Sequence, residues 1–417
     1  MRSQRYQTAM AILFALMWGF IVLDRQTLTY LFPTLEELYG YTNTQLGVIV
    51  TATSFGFAIF SIIFGITADR TGYKKRLLIP FSLLAAIFSG STAFAGTITM
   101  IIVVRFLTGA GEGPCYPLMT SMLAAQSDQK NFAKYIGLLS VGSFAIAGII
   151  GPTLVTQIAA ATNWQMAYIF AALPALIVGI VIWVVVKEVK PEEVAMQQQD
   201  TTSQKMSGKD LIALLKNRNI LLCVVMNILN NAAWWGLLSY APIYWVYDGG
   251  LTSLTMGYLT SMFGAFGVVW AIVIPRISDR IGRKPATIMF GLASAVALFA
   301  MCLSAGTVAK VLYVILSGCS GYLLVMYTAV IAIESVPRKV AATASAVVLG
   351  VGEIIGATLS PAILGAVADA SGLSTVFLIS GLILVVSAIF GFFLKETHPK
   401  KKVGDTEELK ESMEAIA

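Results

Sequence analysis

Twelve apolar segments, each long enough to cross a bilayer, dominate this sequence of 417 residues. A helix needs about 20 predominantly apolar residues to span the hydrocarbon core, and the segments run from Ala9–Phe32 to Val376–Leu394. Apolar residues make up 57% of the chain and charged residues only 12%, which is too little polar surface for a water-soluble fold of this size. The sequence predicts an all-α polytopic membrane protein with twelve transmembrane helices.

The Lys and Arg residues are distributed unevenly between the two sides of the predicted membrane. When both termini are placed in the cytoplasm, Lys310 is the only one of the 28 Lys and Arg residues in a predicted outer loop, and Arg25 and Arg105 lie within spans. This asymmetry predicts a multi-pass protein of the plasma membrane with both termini cytoplasmic. The net charge of +6 therefore indicates a lipid bilayer and not a nucleic acid as the partner.

The chain offers little material for enzyme chemistry. Its four cysteines fall inside predicted spans, where they suit packing. Its single histidine, His398, falls in the polar C-terminal tail, where we expect it to be solvated. No metal-ligand cluster and no ordered nucleophile and base are predicted. We therefore expect a protein that is not an enzyme and uses no cofactor, with protons as the coupling ion.

The two halves of the sequence repeat each other. The segment Asp69-Arg70-Thr71-Gly72 after the second apolar run returns as Asp279-Arg280-Ile281-Gly282 after the eighth, 210 residues later. Pro152 and Pro361 are separated by 209 residues. This near-constant spacing predicts an internal repeat of six helices.

A polar interval after the sixth run separates the two repeats. The predicted domains are an N-terminal six-helix bundle (residues 1–187), a cytoplasmic linker (188–218), a C-terminal six-helix bundle (219–394) and a cytoplasmic tail (395–417). Two six-helix repeats, with a substrate site at their interface near the bilayer midplane, describe the major facilitator fold.

The loop after the second span resembles the corresponding loop of that superfamily. Its pattern is Gly65-x-x-x-Asp69-Arg70-x-Gly72, and the second half keeps Asp279 and Arg280 but has Pro275 in place of the first glycine. The resemblance implies a cytoplasmic gating motif that breaks when the two halves rock. Simple positive-inside topology is the alternative explanation for the charged members.

Four charges interrupt the apolar spans: Asp24 and Arg25 in the first, Arg105 and Glu112 in the fourth. Charged residues inside a membrane usually face a polar cavity and mark an ion or substrate route. Arg105 and Glu112 are seven residues apart, about two helical turns, so they share a face. Burial favours the neutral carboxyl and a nearby arginine favours the carboxylate, which suits Glu112 to bind and release a proton.

The fourth span, Arg105-Phe-Leu-Thr-Gly109-Ala-Gly111-Glu112-Gly113-Pro114, resembles the fourth helix of the anion:cation symporter family, the bacterial relatives of vesicular glutamate and sialic acid transporters. The pair Asp24-Arg25 and the segment Asn163–Phe170 are similar to the same family. The resemblance implies that Glu112 and Asp24 are proton sites, that Arg25 contacts substrate and that Arg105 is the partner of Glu112. Purely structural ion pairs are the alternative.

The second half supplies further candidates for substrate binding. Asn230, Asn231 and Trp234 lie in the middle of the seventh span, where the amides could bind substrate hydroxyls or a carboxylate and the indole could form an apolar wall. Glu353, eight residues before Pro361, adds a third intramembrane acid and makes a zwitterionic substrate possible. Together with Arg25 and Arg105, these residues form the predicted substrate site.

The predicted function is proton-coupled import of a small organic anion (a sugar acid, hydroxy acid or other monocarboxylate) by a monomer. The alternative is a proton-driven efflux antiporter for drugs, amphipathic lipids or zwitterions, because spinster-like lysolipid transporters have a similar Asp-Arg and Arg…Glu pattern. The Gly113-Pro114 continuation and the entry to the sixth helix favour the first.

Overall fold

The computed structural model of the chain describes residues 3–189, 214–304, 306–336 and 340–398, without the side chains of residues 69, 129, 130, 133 and 342. This part is helical and contains twelve helices long and apolar enough to cross a membrane, which confirms the predicted fold class. They are α1 (Gln4–Tyr39), α2 (Asn43–Thr71), α3 (Lys74–Phe94), α4 (Ile98–Gln126), α5 (Lys134–Ala161), α6 (Trp164–Val185), α7 (Arg218–Tyr247), α8 (Ser253–Ile281), α9 (Arg283–Leu303), α10 (Thr307–Glu334), α11 (Thr343–Ser371) and α12 (Leu373–Phe392).

In α1 to α6 we call the end at which α1 begins, and which carries the α2–α3 loop, the near end; the end with the α1–α2 and α5–α6 loops is the far end. In α7 to α12 the near end of a helix is the one on the side of the α8–α9 loop, and the far end is the one on the side of the α7–α8 and α11–α12 loops.

Short polar and glycine signals set the limits of the helices. α1 ends at Gly40, whose φ of 67° is in the left-handed region that glycine tolerates. α2 begins with a capping box, in which Thr42 accepts a hydrogen bond from Gln45 N and Gln45 accepts one from Thr42 N. It ends at Gly72, with φ of 73°.

The glycine-rich fourth span packs α4 against two neighbouring helices. A Cβ placed on Gly109 would lie only 2.0 Å from the carbonyl oxygen of Thr53 in α2. One placed on Gly111 would lie 2.7 Å from the backbone nitrogen of Ala85 in α3. Small residues let membrane helices approach this closely, and the approach packs α4 against α2 and α3 beside the charged residues.

In the described part of the chain, three spans contain a π-helical segment. These are Phe144–Ile150 in α5, Met326–Ile331 in α10 and Gly352–Ala357 in α11. π-segments bend helices and are frequent at functional sites. The segments in α5 and α11 come shortly before the repeat-related Pro152 and Pro361. The π-segment and the proline therefore bend the same stretch of each helix.

Packing groups the described residues into two compact units. Unit 1 contains residues 3–189, 236–265 and 358–376, and unit 2 contains the remainder. The boundary therefore crosses α7, α8 and α11 in mid-helix, and the far-end parts of these helices pack with the first six. The division at residues 187, 218 and 394, which follows the sequence repeat, stays a prediction.

Candidate functional site

The centre of unit 1 holds a buried ion pair between α1 and α4. Arg105 Nη1 donates to Asp24 Oδ2 at 2.7 Å, and Arg105 Nη2 donates to the backbone oxygen of Asp24 at 3.3 Å. Ser89 of α3 donates to the other Asp24 oxygen. Asp24 and Arg105 are only 3% and 1% exposed, so each charge depends on its partner.

Glu112 lies beside this pair and not in it. Its carboxyl group is 1% exposed and lines the same small cavity as Asp24, while its Oε2 has no hydrogen-bond partner among the described residues. Arg105 and Arg25 act on it electrostatically. The predicted Arg105–Glu112 pair is thus wrong as a direct contact, because Asp24 takes the guanidinium. Two neighbouring carboxylates repel each other, so the arrangement suits the binding of one proton at Glu112.

A small cavity adjoins the two acids. It has a volume of about 10 Å³ and is lined by Asp24, Glu112, Ser82 and Ser89, with alanines of α3 and α6. This is near the minimum for one water molecule and far too small for an organic anion. The acids therefore face a space suited to a proton or a water molecule.

Arg25, next to Asp24 in sequence, has different surroundings. It donates to Ser54 Oγ of α2 at 3.3 Å, and its guanidinium carbon lies 4.5 Å from the centre of the Phe57 ring. Successive residues of a helix point about 100° apart, which is why Asp24 faces α3 and α4 while Arg25 faces α2. The Asp-Arg dipeptide thus supplies charges to two different places.

In unit 2, three asparagines of α7 tie this helix to its neighbours. Asn227 Nδ2 donates to Val348 O at 2.8 Å, Asn230 Nδ2 donates to Ser320 O at 2.8 Å, and Asn231 Nδ2 donates to Asn227 O at 3.1 Å. The Oδ1 atoms of Asn230 and Asn231 are buried without a hydrogen-bond partner in the described part of the chain. The open acceptors suit a hydroxyl or ammonium donor, and the binding of substrate hydroxyls or a carboxylate by these amides stays a prediction.

Trp234 and Glu353, the other two substrate candidates, are half-buried in unit 2. The indole of Trp234 packs on Gly321 of α10, where a Cβ would lie 2.8 Å from the ring. Glu353 lies in the π-segment of α11, directly after Gly352, whose own Cβ would meet the amide of Asn227. The structure thus brings the π-segment against the amide face of α7, and the binding roles stay predictions.

The first copy of the predicted gating motif lies at the near end of α2. Arg70 is exposed, and Gly72 provides the left-handed turn into α3. Gly65 has open space where a Cβ would be, so close packing does not require this glycine in the present conformation. The side chain of Asp69 lies outside the described residues.

The second copy belongs to a charged cluster at the near end of unit 2. Asp279 accepts from Arg283 at 2.6 Å, Arg283 also pairs with Glu334 at 3.0 Å, and Arg280 is exposed. His398 is only 8% exposed, with Nε2 at 4.0 Å from Asp279. The expectation that His398 is solvated was wrong, because the chain after α12 folds back onto this cluster.

Sequence reasoning missed two residues of the central site. Ser89 binds Asp24, and Tyr168 of α6 lies fully buried within electrostatic range of Arg105. Ser82 and Ser89, seven residues apart on one face of α3, were a usable signal. Tyr168 lies within the segment Asn163–Phe170, whose resemblance to the family did not imply a role for it.

The chain is similar to known transporters along most of its length. It is 27% identical over 278 residues to the hexuronate transporter of Bacillus subtilis (strain 168), a match that spans 66% of this chain and 65% of that protein. It is 26% identical to the probable sulfoacetate transporter SauU of Cupriavidus necator, over 97% of this chain and 98% of that one.

Solved structures support the same fold. A bacterial homolog of the human lysosomal transporter Spinster, in an inward-facing and unoccupied conformation, superposes with a TM-score of 0.79 over 94% of this chain and 97% of that one, at 15% identity. The family model of the Major Facilitator Superfamily matches residues 14–354. The twelve spans, the six-helix repeat and this match place the chain in the Major Facilitator Superfamily, as a multi-pass membrane transporter and not an enzyme.

Proposed function

We propose that this protein is a proton-coupled symporter that imports a small organic anion by alternating access. It acts as a monomer in the plasma membrane, with both termini in the cytoplasm and no cofactor besides the coupling proton. The observation that carries the proposal is the position of Glu112, whose carboxyl group lies against the buried Asp24–Arg105 ion pair.

The acid pair supports proton coupling because its charge state is linked to Arg105. When Glu112 is protonated, it can donate to Asp24 without disturbing the ion pair. When Glu112 loses its proton, two carboxylates compete for Arg105, and the approach of Arg25 or a conformational change becomes favourable. Binding of one proton by Glu112 is thereby coupled to the position of α1 relative to α4.

The substrate class rests on two groups. Arg25 carries the planar fork that binds a carboxylate through two parallel hydrogen bonds, and it faces α2 next to Ser54. The open acceptors of Asn230 and Asn231 suit hydroxyl groups. We therefore propose a hydroxylated carboxylate, such as a sugar acid or hydroxy acid, as the substrate class. The similarity to a hexuronate transporter agrees with this class.

Proteoliposomes with an imposed inward proton gradient test the proposal. Uptake is measured for a panel of labelled acids: hexuronates, hydroxy acids, sulfoacetate and simple monocarboxylates. Wild-type protein is compared with Glu112→Gln, which keeps the size of the side chain and removes the titration. We expect a hydroxylated acid to accumulate against its gradient in the wild type. Glu112→Gln should lose this accumulation and keep the exchange of internal for external substrate.

Three results would contradict the proposal. Accumulation that survives Glu112→Gln would remove Glu112 from proton coupling, and loss of both accumulation and exchange would assign it a structural role. If no anion accumulates and a lipophilic cation, amphipathic lipid or zwitterion leaves the vesicles instead, the antiporter alternative is supported. The half-buried Glu353 would then be the first additional acid to test.

A further inference from the structure

A carboxylate of the second repeat holds the start of a helix of the first repeat at the far end of unit 1. Asp369, near the end of α11, accepts hydrogen bonds from Asn43 N at 2.9 Å, from Asn43 Nδ2 at 3.0 Å and from Thr44 N at 2.7 Å. Asn43 and Thr44 form the first turn of α2, where backbone N–H groups have no helical partner and the helix dipole attracts a negative charge.

The same two helices make close contacts below this point. Tyr240 of α7 donates to the carbonyl oxygen of Pro361 at 2.5 Å and to that of Asn43 at 3.3 Å. A Cβ on Gly47 of α2 would lie 2.2 Å from Pro361 O. Thr51 donates to Thr358 O at 2.7 Å. The far-end parts of α2 and α11 are therefore closed on each other over more than two turns.

The repeat provides an internal comparison, because α5 and α8 are related to α11 and α2 by the repeat. These helices also meet in unit 1: the hydroxyl oxygens of Thr153 and Ser261 are 2.7 Å apart, and Gln157 Nε2 donates to Tyr258 Oη at 3.1 Å. Both contacts are neutral. The residue 209 positions before Asp369 is Ala160, so α5 has no carboxylate at this place.

We propose that Asp369 is a positioning residue for transport: a charge-assisted latch that keeps the far end closed and must release α2 each time the far end opens. The closure is asymmetric, since only the α2–α11 pair carries the latch. Separation of this pair is then the step that limits opening. The inference depends on the superfamily and its alternating access, and it holds whatever the substrate or the coupling ion is.

Cysteine accessibility in nanodiscs tests the latch. The reporter is Ser360→Cys, a nearly isosteric change at a residue of α11 that is 7% exposed and whose hydroxyl has no hydrogen-bond partner among the described residues. Cys115, Cys302 and Cys319 are replaced, and the fully buried Cys223 of unit 2 is kept as an internal reference. Labelling by a water-soluble maleimide is quantified at each cysteine by mass spectrometry.

In this background, Asp369→Asn should speed labelling of the reporter by about tenfold, because hydrogen bonds to a charged acceptor are the strong ones. Asn43→Pro tests the same latch from the other side. It removes two of the three donors at the first helical position, where proline is tolerated, and Thr42 before it has the extended conformation that proline requires. The matched control is Thr153→Val, which removes a neutral contact between α5 and α8 and should have a smaller effect.

The latch is supported if both Asp369→Asn and Asn43→Pro expose the reporter while Cys223 stays protected. It is overturned if neither variant changes the labelling rate, or if Thr153→Val exposes the reporter as much. Faster labelling of Cys223 and the reporter together would also overturn it, because that result means general loosening of the fold. None of these outcomes depends on Glu112, so the proposed function can fail or stand separately.

Discussion

Glu188 and Glu396 each cap the start of the third helix of their own repeat, α3 and α9. Glu188 accepts hydrogen bonds from the backbone nitrogens of Lys75 and Arg76, at the start of α3, at 2.8 and 3.0 Å. Glu396, 208 residues later, accepts from the first two residues of α9 at 2.9 and 3.1 Å. In each repeat the chain that leaves the sixth helix returns to cap the third, and this contact closes the near end of the repeat on itself.

The Glu396 cap should make stability depend on pH. Burial raises the pKa of Glu396, but four backbone N–H donors outweigh burial and hold its pKa below the ordinary value of 4.5. The cap therefore contributes its full stabilisation above pH 4.5 and loses it as the pH falls through the lowered folded-state pKa. Glu396→Gln should melt below the wild type at neutral pH, and the difference should shrink on acidification. The exposed Glu37, changed to Gln, is the charge-matched control; an equal pH dependence there would contradict the prediction.

Removing one partner of the Asp24–Arg105 ion pair should destabilise the protein more than removing both charges. Asp24→Asn leaves the buried Arg105 charge uncompensated, and we expect a loss of about 3–5 kcal/mol in the free energy of unfolding. Adding Arg105→Met should recover most of this stability, because the buried charge is gone. Neither protein should accumulate substrate. Denaturant or thermal unfolding in detergent measures the first effect and proteoliposome uptake the second. Recovered transport in the double variant would show that the pair only holds the helices.

Arg25→Lys should weaken binding of the anion by roughly tenfold, because an ammonium group cannot form the two parallel hydrogen bonds of the guanidinium fork. The positive charge is kept, so folding and membrane insertion should be unchanged. Equilibrium binding or the KM of uptake provides the measurement. An unchanged affinity for the carboxylate would exclude Arg25 from the substrate contacts.

The amide acceptors of α7 should select hydroxylated substrates. Asn230→Ala and Asn231→Ala should lower the affinity for a hydroxylated acid more than that for its deoxy analogue, because only the former donates a hydrogen bond to Oδ1. Asn227→Ala is the control: it removes a helix tie, but its Oδ1 already accepts from Asn231 at 3.4 Å. If all three variants affect both acids equally, the amides serve packing alone.

We expect two groups of glycines in the sequence motifs: those that close packing requires in the present conformation, and those that are required in another conformation. Gly109→Ala places a methyl group 2.0 Å from Thr53 O and should destabilise the protein by about 1–3 kcal/mol through overpacking. Gly65→Ala meets open space and should leave unfolding unchanged. If Gly65→Ala nevertheless slows transport, the glycine is required in another conformation, as the gating motif implies. A loss of stability in Gly65→Ala equal to that in Gly109→Ala would contradict this distinction.

The helices and their repeat could be predicted because hydropathy and residue spacing act along one dimension of the chain. Contacts between helices could not. Arg105 and Glu112 do share a face of α4, as their spacing requires, but the rotation of α1 against α4 decides that Asp24 takes the guanidinium. Asp24 and Arg25 are adjacent in sequence, but adjacent helical residues point in different directions, and the two side chains therefore contact different helices.

His398 and Asp369 show the same limit at the helix ends. Composition marked the region after α12 as polar, but a polar segment can still be buried when it supplies caps and ion-pair partners, as residues 396–398 do. The role of Asp369 depends on the start of α2, and nothing in its local sequence indicates that neighbour.

The cap on α2 also bears on how the protein is made. Asp369 and Asn43 are 326 residues apart, and at about 5–20 residues per second a ribosome needs some tens of seconds to cover that distance. Throughout this interval the start of α2 exists without its carboxylate. The capping box of Thr42 and Gln45 lies wholly within the early sequence, so the nascent helix has a temporary cap of its own until the eleventh span is inserted. The bond that can form only late in synthesis is thus also the bond that the proposed latch must release for the far end to open.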